Sequence, residues 1–252
     1  MPGQAKSESA LASGPDPSHA RAVFFDAVGT LIFTAEPVAV TYRTIARRHG
    51  IEIDAALISR RFRDAFRIEE EKDQRSGWRT DEERERQRWR SIVSATLCEV
   101  ADLEACFGEL WNHFSSPAAW SVNPEARTIL SELSRRGLIV GIASNFDARL
   151  LGIVRAHSAL VPAAERCVVS SLVGWRKPAT GFFEELSRRA GCAAGEVLLV
   201  GDDWRNDYQA ARAAGMQAVL YGADGNSEID DRIASLSDVL TPPAPPLAAR
   251  GR

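Results

Sequence analysis

Five short apolar runs recur along this 252-residue chain, and each stops at a polar residue or a glycine. Ala22 to Phe25 ends at Asp26, and Leu138 to Ala143 runs into Ser144 and Asn145. Cys167 to Val169 meets Ser170 and Ser171, Val197 to Val200 meets Gly201, Asp202 and Asp203, and Ala218 to Tyr221 meets Gly222. Runs this short, without polar alternation, suit strands buried on both faces. Helical spacing fills the stretches Ala126 to Arg136, Ala148 to His157, Gly181 to Ala190 and Asp207 to Ala214, with Gly137, Gly191 and Gly215 where helix ends belong. Short strands alternating with helices predict an α/β fold built on a doubly wound parallel sheet. Ligands of such sheets bind beyond the carboxyl ends of the strands, where every polar group just named falls.

One interval breaks the alternation. From Glu36 to Trp120 the pattern is helical throughout, with apolar stripes at Ile58, Phe62, Ala65 and Phe66, at Trp89, Ile92 and Val93, and from Leu103 to Phe114. An all-helical insert over 36–120, placed after the first strand, is therefore expected, bordered by Thr34 to Pro37 and Ser115 to Pro124. The α/β core then occupies 19–35 and 121–240. The mixed-charge run Glu69 to Arg90 reads as a solvated helical face rather than a partner-binding helix. Residues 1–18 read as a disordered leader with no apolar secretory core, and the Pro-rich residues 241–252 as a disordered tail.

Charge and cysteine usage narrow the function classes. Lys+Arg 31 against Asp+Glu 34 leaves no basic field for a row of phosphates, so no nucleic-acid partner is expected. No apolar stretch approaches the ~20 residues of a bilayer span, so no membrane partner is expected either. Cys98, Cys106, Cys167 and Cys192 lack C-x-x-C spacing and suit buried, reduced thiols in the cytoplasm. His19 stands at the edge of the leader, and His49, His113 and His157 fall at or near helix ends or on helical faces, where cap or surface roles are the default. What remains is a small-molecule substrate; the oligomeric state is not legible.

The polar strand ends carry the chemistry. A carboxylate at Asp26, with Gly29 and Thr30 after it, sits where it can attack phosphorus or carbon and form a covalent ester. Asp202, Asp203 and Asp207 would repel one another and Asp26 unless a cation or shifted pKa values compensated, and a hard divalent ion such as Mg2+ favours such oxygen ligands. Lys177, one of three lysines in the chain, would offset those carboxylates. Ser144 and Asn145 offer a hydroxyl, an amide and main-chain N–H groups to phosphate oxygens.

These four groups resemble the four motifs of the haloacid dehalogenase-like (HAD) hydrolase superfamily: Asp26-Ala-Val-Gly-Thr30, Ser144-Asn145, Lys177-Pro178 and Gly201-Asp-Asp-Trp-Arg-Asn-Asp207. The likeness covers Arg21 to Gly222, and the insert is similar to the small helical cap of one branch. The stretches Ser144 to Leu150 and Asp207 to Met216 are most similar to the hydrolase domain-containing 3, or REG-2-like, group. The resemblance implies a Rossmann-like core and Mg2+-dependent phosphate hydrolysis through an aspartyl-phosphate on Asp26. It implies metal ligation by Asp26, the Val28 carbonyl and Asp202, with Asp203 or Asp207 bound directly or through water. Lys177 would steady nucleophile and phosphate, Thr30, Ser144 and Asn145 would face the phosphate, and the cap would choose the substrate.

Val28 departs from that pattern. Phosphatases of this type place a second Asp there as general acid and base, a role worth about 10²- to 10⁴-fold. Three readings follow: a slow or specialised phosphatase, for example of an acyl or aryl phosphate that leaves unprotonated; a metal-independent C–X hydrolase, since family dehalogenases show Asp-Ala-Tyr-Gly-Thr; or a non-catalytic binding module. The acidic cluster favours the first. A phosphonate-cleaving variant would need Lys72 as a Schiff-base amine, and Lys72 reads as solvated.

Overall fold

The computed structural model describes residues 20–222 and 231–240. The leader expected over 1–18, His19 and the tail expected over 241–252 lie outside the described residues. In chain order the strands are β1 (Ala22–Phe25), β2 (Ile32–Thr34), β3 (Trp120–Val122), β4 (Ile139–Ser144), β5 (Cys167–Val169), β6 (Val197–Gly201), β7 (Gln217–Tyr221) and β8 (Arg232–Ile233). The helices are α1 (Val38–Arg48), α2 (Ala55–Arg75), α3 (Glu82–Thr96), α4 (Leu103–Ser115), α5 (Ala126–Arg135), α6 (Arg149–Ala156), α7 (Val161–Ala164), α8 (Ser170–Val173), α9 (Thr180–Ala190) and α10 (Ala210–Ala213).

Six strands form one parallel sheet in the order β5-β4-β1-β6-β7-β8. Alternation along each strand explains the unbroken apolar runs. Val23 and Phe25 enter the layer closed by α5, α6 and α7, while Ala22 and Phe24 enter the opposite layer, closed by α9 and α10. The doubly wound parallel α/β expectation is therefore borne out. The chain steps outward from β1 to β4 and β5 on one face, then returns to β6 and steps the other way on the other face. The halves part between β1 and β6, so the crevice at the switch point opens beyond Asp26 and Asp202.

Helices α1 to α4 fill the interval between β2 and β3, two strands the apolar runs did not announce. These pair antiparallel, from Ile32 opposite Val122 to Thr34 opposite Trp120, and close the neck of the insert. Asp54, Asp81 and Asp102 start α2, α3 and α4, their carboxylates accepting from the main-chain N–H of Ala56 (2.8 Å), Arg84 (2.7 Å) and Ala105 (3.0 Å). The apolar stripes meet in a core of their own that includes Ile58, Val93, Phe107 and Leu110. Among the described residues no helix is long and apolar enough to cross a membrane. Cys106 and Cys167 are buried free thiols, whereas Cys98 is exposed, unlike the buried thiol expected.

The mixed-charge run is a solvated face only in part: Glu71, Arg75, Glu83 and Arg86 are exposed as expected, but four of its charges are not. Glu69, Asp73, Glu85 and Arg88 are all buried. Asp73 pairs with Arg84 and Arg88, Glu69 with Arg84 (2.9 Å) and Lys72, and Glu85 accepts from Thr80 (2.8 Å) and from Arg176 of the core. Lys72 itself stays about half exposed, as expected of it. The turn between α2 and α3 docks beside this network: Arg176 N–H donates to the Trp78 carbonyl (2.9 Å), Thr80 N–H to the Gly174 carbonyl (3.2 Å), and the Arg79 guanidinium lies 3.5 Å from the centre of the Trp175 ring.

Removing one member of such a network strands its partner's charge in a dry site. Asp73→Ala is expected to lower the unfolding free energy by about 3–5 kcal/mol in urea titrations. Glu52→Ala, which breaks the solvent-exposed pair with Arg47, should leave the transition midpoint in place.

Candidate active site

Asp26 directly follows β1, and its N–H donates to the Val200 carbonyl (2.8 Å), which extends the pairing with β6 up to the carboxylate. The residue is 7% exposed. Lys177 reaches it from the loop after α8. The ammonium donates to Asp26 Oδ1 (2.7 Å), to Asp207 Oδ1 and to the Ala143 carbonyl (2.9 Å), which uses its three N–H bonds. Burial alone would drive the lysine pKa down; the charges of Asp207 and Asp26 outweigh it and hold the pKa above the ordinary value. The amine is therefore a full cation at neutral pH.

The remaining expected residues fall into three groups. Asp202 and Asp207 join Asp26: one carboxylate oxygen of each lies within 4.8 Å of the others. Two glycines make room for this approach. A Cβ on Gly29, where φ is +95°, would stand 2.2 Å from Asp202 Oδ2, and a Cβ on Gly201 would stand 2.2 Å from Asp207 Oδ2. Asp203, expected among the metal ligands, lies outside the cluster. It caps the π-helical turn Trp204–Gln209, accepting from Arg205 N–H (2.8 Å), Asn206 N–H (2.9 Å) and the Asn206 side chain (2.8 Å). Its own N–H donates to Asp207 Oδ2 (3.1 Å), so its main chain supports the cluster although its side chain does not join it.

Of the three residues expected at a phosphate, only Ser144 and Asn145 line the cavity above the carboxylates. Asn145 turns its amide on the lysine's own main chain, accepting from Lys177 N–H (2.7 Å) and donating to the Lys177 carbonyl (2.9 Å). That contact positions the lysine. Thr30 is fully buried, and its hydroxyl donates to Asp202 Oδ1 (3.3 Å). The threonine braces a carboxylate, which corrects the expectation that it meets substrate.

Electrostatics leave the cluster short of positive charge. Asp202 as a residue is open to the cleft, yet its carboxyl is desolvated enough that burial, and then the Asp26 charge, push its pKa up to about 6. Asp207 is raised too, by burial first, with Asp26 adding and Lys177 opposing. One ammonium does not neutralise three carboxylates at this spacing. Oxygen donors this close suit a hard divalent cation, and the residues present fit Mg2+.

A cavity of about 400 Å³ separates this floor from the helical insert. Val28 lines it with an apolar side chain, 38% exposed, beside Asp26. Two arginines that the motif reading passed over tie the insert to the site. Arg149 is held by both oxygens of Asp147 (2.7 Å each) and lies 3.5 Å from the centre of the Trp111 ring. Arg176, next to Lys177, pairs with Glu85. A signal for the latter was present: Glu69 and Asp73 continue the helical stripe of Ile58, Phe62 and Phe66, and Glu85 and Arg88 continue that of Trp89, Ile92 and Val93.

The family model described as haloacid dehalogenase-like hydrolase matches residues 20–215. The chain is 33% identical to the human haloacid dehalogenase-like hydrolase domain-containing protein 3, over 79% of this chain and 81% of that protein. It is 26% identical to the glyceraldehyde 3-phosphate phosphatase of Methanothermobacter thermautotrophicus, over 81% of this chain and 86% of that one. A defluorinating L-2-haloacid dehalogenase of known structure superposes with a TM-score of 0.69 at 21% identity, covering 89% of this chain and 96% of that one, and speaks for the fold.

The raised Asp202 pKa sets the sign of a pH effect. With no divalent ion present, its contribution to stability is fully there below the unfolded carboxylate value and is lost as the pH rises towards 6. In EDTA, Asp202→Asn should therefore gain stability relative to the parent between about pH 4 and 6 and hold that gain above. Thermal melts across this range test it, and a flat difference removes the electrostatic account.

Proposed function

The chain belongs to the haloacid dehalogenase-like hydrolases, grouping with domain-containing protein 3, and within that family we propose that it is a Mg2+-dependent phosphohydrolase whose covalent step is taken by Asp26. The observation that carries this reading is the convergence of Asp26, Asp202 and Asp207 around Lys177, an excess of negative charge that a 2-haloacid anion would have no reason to approach. Bound Mg2+, held by Asp26, Asp202, Asp207 and, as in the family pattern, the Val28 carbonyl, would screen an anionic nucleophile from an anionic phosphate.

Lys177 holds Asp26 Oδ1 and so leaves Oδ2 to attack phosphorus. The new Asp26–phosphorus ester forms as the bond to the leaving oxygen breaks, and that oxygen keeps the electron pair. Ser144 faces the phosphoryl oxygens as charge builds there, while Lys177, its three donors engaged, offsets that charge through space. Water then cleaves the ester, releases phosphate and restores the carboxylate. Val28 donates and accepts no proton in either half, so the reaction runs fastest with leaving groups stable as anions. The buried thiols, Cys106 and Cys167, support a cytoplasmic setting.

Val28 also supports a second reading, metal-independent C–X hydrolysis, because an apolar wall beside the nucleophile suits a carbon-bound halogen. Phosphate esters, acyl phosphates and 2-haloacids offered with Mg2+ and then with EDTA separate the readings. Phosphate release that EDTA abolishes is expected; halide release that survives EDTA sinks the proposal, as does no turnover of any member. Val28→Asp is expected to raise kcat on an alkyl phosphate by about 10²-fold or more, and to do much less for p-nitrophenyl phosphate.

A further inference from the structure

We infer that the cavity selects an aryl phosphate whose ring carries an anionic substituent, and that Arg88 of α3 recognises that substituent. The reaction rests on the phosphohydrolase reading above; the recognition rests on the wall that the insert presents to the cavity.

That wall is aromatic. Phe62, Phe66 and Trp89 line the cavity and pack as one surface, with ring centres 6.2 Å (Phe62–Phe66), 6.4 Å (Phe62–Trp89) and 6.3 Å (Phe66–Trp89) apart. Phe114 and Trp120, centres 6.0 Å apart, line it as well, and Val28 carries the apolar lining down to Asp26. Aromatic faces take a planar ring in offset or edge geometry, whereas the hydroxyls of a polyol would find few partners there. Leaving-group chemistry points the same way. With valine in place of an acid, the departing oxygen leaves as an anion, and a phenol, with a pKa of about 10, does so far more readily than an alcohol.

Arg88 breaks this apolar surface. Its side chain is 1% exposed, its Nη1 is bonded to Asp73, and its guanidinium carbon lies 4.6 Å from the centre of the Phe66 ring. Nη2 is buried and has no hydrogen-bond partner among the described residues. Burial, and then the neighbouring Arg176 charge, pull its pKa down to about 10, which leaves it charged at neutral pH. A buried donor of this kind is costly to leave unmade, and a ring carboxylate entering the cavity would complete it with a charge-assisted bond. The half-buried Glu70 lines the cavity too, so a ring bearing an ammonium is the competing ligand. In the reaction Asp26 takes the phosphoryl group, the phenolate leaves with the electron pair and takes a proton from solvent, and water then releases phosphate.

The test compares 4-carboxyphenyl, phenyl and 4-(aminomethyl)phenyl phosphate as substrates with Mg2+, and 4-hydroxybenzoate and phenol as ligands, read by tryptophan fluorescence without turnover. The carboxylate is expected to raise kcat/KM over the phenyl ester, and affinity over phenol, by at least about tenfold. Arg88→Lys should bring both ratios close to one. If circular dichroism shows that this variant does not fold, the pair D73N/R88M removes both buried charges together and should have the same effect on the ratios. Equal handling of the three rings, a preference for the ammonium, or ratios that Arg88 substitution does not move would overturn the inference. Phosphate release from none of the esters, with the 4-hydroxybenzoate preference intact, overturns the phosphohydrolase reading and spares the recognition; release without preference does the reverse.

Discussion

A buried ammonium holds the site together. Lys177 joins three separate parts of the chain: the residue after β1, the end of β4 and the π-helical turn after β6. Burying one charge is unfavourable unless every donor finds an acceptor, and here each of the three does. Without that cation, the carboxylates of Asp26 and Asp207 would face one another with no positive charge between them. Asn145 acts one step back, clamping the lysine's main chain on both sides of its Cα.

The same loop also answers to the helical insert. Arg176 pairs with Glu85 while its neighbour Lys177 serves the carboxylates, so two consecutive residues belong to two different layers. Arg149 does the equivalent at the start of α6, after β4, fixed by Asp147 and stacked on Trp111 of α4. A buried network of Glu69, Asp73, Glu85, Arg84 and Arg88 stands behind the Arg176 contact. Such networks contribute little net stability against an apolar alternative, but their directionality allows few ways to seat the insert over the sheet.

Within the cavity, chemistry and recognition divide between the layers. The sheet end supplies most of the charge, and the insert supplies aromatic faces with the Arg88 guanidinium and the carboxylates of Glu70 and Glu85 among them. Val28 sits where these meet. Its side chain continues the apolar wall and, in the proposed reaction, offers no proton beside Asp26, so this one residue would bear on both the leaving group and the shape that accepts it.

The apolar runs and their polar ends were enough to identify the parallel sheet, the place of Asp26, Ser144, Lys177 and Asp202 at its carboxyl edge, and the helical insert, because strand burial on both faces writes itself directly into local composition. The short ribbon of β2 and β3 was not legible, since three-residue strands carry too little pattern. Nor was the division of labour among the acids. Asp203 and Asp207 are alike in sequence, yet one caps a turn and the other meets a lysine 30 residues away, a difference set by where the turn points its side chains. The burial of Glu69, Asp73, Glu85 and Arg88 was not legible either, nor was the turn of Thr30 towards Asp202 instead of a phosphate, because local sequence shows polarity and not burial. Local periodicity determined which elements form and which residues stand at their ends; only tertiary packing decided which of those polar groups face one another, because charge pairing and desolvation depend on distances through space rather than along the chain.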